Sequence, residues 1–136
     1  SYREYQIAIS IFPLKYNIDD WTEFFNLNKD NVYLDKNNLI RFKNTPNYID
    51  KDPNLYIKSV IDDTEKMLIN KHVFVEEIDY LLEIIENVTK IKSDRIDFNG
   101  TSVPSFENIK QWREWLAINS SKLYWNKGTQ EVIIKY

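Results

Sequence analysis

Two consecutive stretches of helical periodicity, only a few residues apart, constrain this chain more than any other feature. Residues 54–70 place Ile57, Val60, Ile61, Thr64 and Leu68 at helical spacing. Residues 74–91 do the same with Phe74, Ile78, Leu81, Leu82, Ile85 and Val88. A helix with one apolar stripe must bury it, and a short connection makes an antiparallel neighbour the nearest cover. A helical hairpin is therefore expected at the centre. A third long helix is expected over about 106–119, with Ser105 as its N-cap and Ile109, Trp112 and Leu116 as its apolar arc.

The flanking segments read as strands and one shorter helix. Tyr5, Ile7, Ile9 and Ile11 alternate along one face, which predicts a strand ended at Pro13. A helix over residues 20–27 is expected next, with Asp20 as cap, Glu23 three residues on, and Trp21, Phe24 and Phe25 on its buried side. Val32–Leu34 and Leu39–Phe42 surround the polar turn Asp35-Lys36-Asn37-Asn38 and read as a hairpin. Residues 95–98 read as a short strand before a loop at Gly100. Residues 123–125 and 131–136 flank Asn126-Lys127-Gly128-Thr129 as a second hairpin. The expected fold class is α+β, with three main amphipathic helices and a small antiparallel sheet built from hairpins. At 136 residues the chain is expected to form one globular domain.

Composition removes several chemistries. There is no cysteine, so no thiolate nucleophile and no disulfide framework. Zinc sites draw mainly on Cys and His, and the one histidine is His72. Asp50-Lys51-Asp52-Pro53-Asn54 opens like a calcium loop, but Leu55 stands where that loop needs Gly and Ile61 where it needs Glu. No metal and no cofactor are expected. No Gly-x-Ser-x-Gly, no dinucleotide fingerprint and no P-loop occur. The adjacent acids Asp19-Asp20, Asp62-Asp63 and Glu76-Glu77 do not make facing acid–base pairs, because helical neighbours diverge by about 100°. The chain is read as a non-enzyme. A formal net charge of −3 argues against nucleic acid as a partner, and no apolar run is long enough to span a bilayer.

Residues 95–125, with Phe98-Asn99-Gly100, Trp112-Arg113-Glu114-Trp115, Asn119 and Leu123-Tyr124-Trp125, resemble the C-terminal W-x-x-W tail of bacterial HEAT-like helical-repeat proteins. That resemblance implies protein-binding scaffolding without catalysis. The strand-like first 45 residues depart from it.

Two surfaces are candidates for a partner. Trp115 falls about 80° from the centre of the third helix's apolar arc, which makes it either a rim residue of the core or an exposed anchor. Tyr124, opposite Leu123 and Trp125 on a strand, is its companion. The second candidate is a row of acids on the second central helix: Glu76, Asp79, Glu83 and Glu86. Residues 50–89 hold ten acids against four basic residues. Like charges at helical spacing are slightly unfavourable, so the row is either a solvated face or a docking face for a basic partner protein. The leading expectation is a non-enzymatic protein-binding module, in one version a small acidic inhibitor of the immunity type. The alternative is a carbohydrate-binding cell-envelope or secreted domain using exposed Trp and Tyr.

Overall fold

The computed structural model describes residues 18–136. Among them are four helices: α1 (Ile18–Asn28), α2 (Pro53–Asn70), α3 (Val75–Thr89) and α4 (Phe106–Asn119). Three two-stranded antiparallel sheets complete the α+β mixture. They pair β1 (Val32–Leu34) with β2 (Ile40–Phe42), β3 (Ile96–Phe98) with β4 (Thr101–Val103), and β5 (Leu123–Asn126) with β6 (Glu131–Ile134). α1 is the shorter helix expected over residues 20–27, and with the three main ones it brings the described helices to four. The hairpins differ from expectation, remaining separate pairs among the described residues instead of merging into one sheet. The expected strand over residues 5–12 lies outside the described residues.

The chain divides into two compact units. In the larger, Lys51–Trp125 with Val132–Tyr136, α2 packs against both α3 and α4. Asp52 starts α2 by accepting the Asn54 and Leu55 backbone N–H groups, with Pro53 at the first position, where a missing N–H costs nothing. The helix ends at Lys71, which is left-handed at φ 53°. There the Lys71 N–H reaches Leu68 O and the His72 N–H reaches Met67 O, so the last carbonyls keep partners. Ile57, Val60 and Ile61 from α2, Ile78, Leu82 and Ile85 from α3, and Ile109 and Trp112 from α4 form one core. Thr64 sits in that apolar arc without penalty because its hydroxyl donates to Val60 O.

Trp112 is wholly buried, and its indole N–H donates to Ile91 O at 3.1 Å. At the start of α4, Ser105 and Asn108 form a reciprocal capping box. Arg113 ties α4 to α2 by donating to Asp62 at 2.8 Å and Glu65 at 3.0 Å. Lys58 donates to the other Asp62 oxygen at 2.8 Å. The Lys58 hydrogen bond, followed by the Arg113 one, holds the Asp62 carboxyl below its ordinary value of 3.8.

The smaller unit comprises residues 18–50 with Asn126–Glu131. Its core is Trp21, Phe24 and Ile49, with Phe25, Phe42 and Tyr48 packed around them. Trp21 meets Phe24 edge to face at 5.7 Å. Asn28, fully buried, is the polar pin of this unit. Its amide donates to Phe24 O and Asn47 O and accepts the Asn47 N–H at 2.7 Å. The loop after β2 is thereby fixed to the end of α1.

Two expected outcomes follow from this packing. Trp112→Ala should lose about 3–5 kcal/mol of unfolding free energy in a urea titration, as large aromatic truncations in cores do. Trp115→Ala should lose much less, and equal losses would contradict the burial described. Asp62→Asn should lose up to about 1 kcal/mol at neutral pH, since the site is partly exposed and screened. With a lowered folded-state value, the Asp62 contribution is present above 3.8 and disappears as pH falls through the folded value. Wild type and variant should therefore converge in melting temperature under strong acid.

Candidate functional site

The acidic row lies on α3, and its members have different surroundings. Glu76, Asp79 and Glu83 are exposed. Glu86 is not on that face. It is only 4% exposed, accepts the Ser93 N–H at 2.6 Å, and pairs with Arg95 at 2.9 Å. The reason is angular. At about 100° per residue, Glu86 lies roughly 70° from the centre of the Ile78–Leu82–Ile85 arc, nearer than the other three acids. The chain after α3 then folds back over it, turning at Lys90 with φ 62° and at Arg95 with φ 54°. Glu86 is an internal anchor for the loop and is removed from the candidate docking face.

The neighbouring acids are divided in the same way. Asp62 and Glu65 are occupied by Arg113, and Asp62 also by Lys58. Asp52 is the cap of α2, which accounts for one acid of the calcium-like sequence. By contrast, Asp63, Glu76, Glu77 and Asp79 form no ion pair among the described residues. Asp62 and Asp63 point to different neighbours, as adjacent helical residues must.

Between the end of α2 and the start of α3 lies an open groove of about 300 Å³, lined in part by Asp63, Met67, His72, Phe74 and Glu77. Phe74 was expected on the buried stripe of its helix. It is instead the N-cap residue, with φ −96° and ψ 120°, so the helical phase does not extend to it. Its ring is 56% exposed and lies 4.8 Å from the His72 ring. His72 is exposed, and its imidazole makes no hydrogen bond among the described residues. No group of three or more His, Cys, Asp or Glu able to hold a metal occurs among the described residues.

The aromatic candidates are less available than the acids. Trp115 is half-buried against the main core, a rim position. Tyr124 is half-buried, and the Lys135 ammonium sits 4.6 Å from its ring centroid. Trp125 meets Tyr56 edge to face at 5.2 Å. No helix among the described residues is long and apolar enough to cross a membrane.

Glu86→Ala should cost about 1–3 kcal/mol in chemical unfolding, because the buried Ser93 N–H is left without an acceptor. Glu86→Gln, which keeps an oxygen there, should recover part of the loss. A variant as stable as wild type would place Glu86 back on the solvated face.

Comparison with models of protein families, with curated proteins and with solved structures finds no match to this chain.

Proposed function

We propose that this chain is a non-enzymatic protein-binding module whose docking face is the exposed acidic side of α3, Glu76, Asp79 and Glu83, and whose partner presents basic residues to it. The observation that carries this reading is the division of the acids. Where the fold needs a carboxylate, a cation or a backbone N–H is supplied, as at Asp62, Glu65 and Glu86. Glu76 and Asp79 are exposed and form no ion pair among the described residues, although like charges three residues apart on a helix are mildly unfavourable. A small acidic inhibitor that covers a basic surface on its target is the concrete form of this reading. The resemblance of residues 95–125 to HEAT-like tails points the same way.

A carbohydrate platform receives less support. Such sites present a flat exposed aromatic face, and Trp115, Tyr124 and Trp125 are each half-buried.

The test begins with affinity capture on the immobilised chain, with mass spectrometry of what is retained. A protein with a basic surface is expected. Association of that protein should then slow several-fold at low salt when Glu76 and Asp79 are both changed to Lys, because charges at an interface rim act mainly on the association rate. Added salt should shrink the difference, since screening shortens to about 8 Å at physiological ionic strength. Unchanged association at low salt would remove α3 as the docking face.

A further inference from the structure

The β3–β4 hairpin turns on two residues, Asn99 and Gly100, with Phe98 paired to Thr101 on either side. Both have positive φ, 49° and 87°, the pattern of the primed turn that suits a tight hairpin. Both are exposed, and the space where a Cβ of Gly100 would sit is open to at least 4 Å. The Gly100 N–H donates to the Asp97 carboxylate, Oδ1, at 3.1 Å.

We propose that Asn99–Gly100 is a spontaneous modification site, at which the asparagine amide is lost through a cyclic imide with Asp97 as the intramolecular base. The chemistry requires a backbone nitrogen to attack the side-chain carbonyl carbon of the preceding asparagine. Gly100 supplies the least hindered nitrogen a chain can offer, and every other asparagine in this sequence precedes a residue with a side chain. The Asp97 oxygen already accepts a hydrogen bond from the N–H whose proton must be lost. As that proton passes to Asp97, the Gly100 nitrogen bonds to Asn99 Cγ; the bond from Cγ to the amide nitrogen then breaks as that nitrogen takes up one proton, returned from Asp97, and leaves as ammonia. Water then opens the five-membered imide at either carbonyl, giving aspartate or isoaspartate. The net change is one water consumed and one ammonia released, with no oxidation or reduction.

Ring closure requires the Asn99 backbone to leave its turn conformation. The surrounding sheet permits this, because among the described residues it is an isolated pair of three-residue strands and such pairs have little stability of their own. The product adds a negative charge two residues from Asp97. In the isoaspartate form it also adds a methylene to the backbone of a turn that has room for only two residues.

The experiment is to hold the purified full chain at physiological pH and temperature and to map its peptides by mass spectrometry over time. The amide-to-acid mass gain, with isoaspartate, is expected first at the peptide carrying Asn99, accompanied by free ammonia. Gly100→Ala should abolish the gain at that peptide. If its positive φ prevents that variant from folding, Asn99→Gln tests the same assignment, because the longer side chain closes the ring far more slowly. Asp97→Asn keeps an oxygen acceptor for the Gly100 N–H but removes the base, and should slow conversion several-fold while the circular dichroism spectrum is unchanged. Conversion at other asparagines with Asn99 intact would overturn the site. Undiminished conversion in Asp97→Asn would overturn the role given to Asp97.

Discussion

Trp112 cannot be buried on every side without also finding an acceptor for its indole N–H, and the loop between α3 and β3 provides one. The acceptor is Ile91 O, so the chain leaving α3 has to cross the middle of α4. That crossing buries or half-buries several backbone N–H groups, and helix side chains supply their partners. Thr89 accepts the Ile91 N–H, Glu86 the Ser93 N–H, and Asn108 the Asp94 N–H. Asn108 also accepts the Ser105 N–H in the capping box. One buried tryptophan therefore determines why a glutamate, a threonine and an asparagine are buried beside it. The loop is held by helix side chains and not by a ladder of its own.

The same accounting explains how charge is distributed over the larger unit. The acids used inside the fold meet donors that come from distant parts of the chain: Arg113 reaches Asp62 and Glu65 from α4, and Arg95 reaches Glu86 from the loop. These contacts orient helices with respect to one another. They consume carboxylates at the edges of the core, whereas Glu76 and Asp79 form no ion pair among the described residues. The exposed face of α3 is therefore what remains once packing has taken its share, and its acidity is greater than the formal charge of the chain suggests.

The long helices are readable from the sequence because their stripes are long enough for the 3.6-residue period to stand out. The start of α4 is readable too, since Ser105 is a capping residue by chemistry, whereas the cap of α2 at Asp52, with Pro53 at its first position, precedes the start expected at residue 54. Phe74 and Glu86 were misread for opposite reasons. Phe74 lies just outside the helix, where helical phase has no meaning. Glu86 lies inside it, but its surroundings are built by residues seven and nine positions later, after the chain has reversed. Local periodicity carries no information about that reversal. Of the β3–β4 hairpin, the sequence shows only a strand and a loop. The Asn99-Gly100 pair is itself a strong turn signal, yet three residues on each side are too few to show alternation. For the candidate docking face, the sequence shows where acids are concentrated, but only the fold shows which are occupied.

Three hairpins this short would not hold together by cross-strand pairing alone, and each has the same local reinforcement. An Asx side chain within one residue of the end of the first strand turns back to accept an N–H from the turn. Asp35 accepts from Asn37 and Leu39, Asp97 from Gly100, and Asn126 from Thr129. Short polar side chains reach their own backbone two to four residues on without needing a larger sheet. Each turn also contains a residue at positive φ, Asn38, Asn99 with Gly100, and Gln130, a strained choice for all but the glycine. The Asx bonds offset that strain, so reversals are fixed by turn chemistry while the helices supply the core. Strands of three or four residues present little unpaired edge to another chain. Keeping the hairpins short and locally braced is thus compatible with leaving each of them, among the described residues, outside a larger sheet.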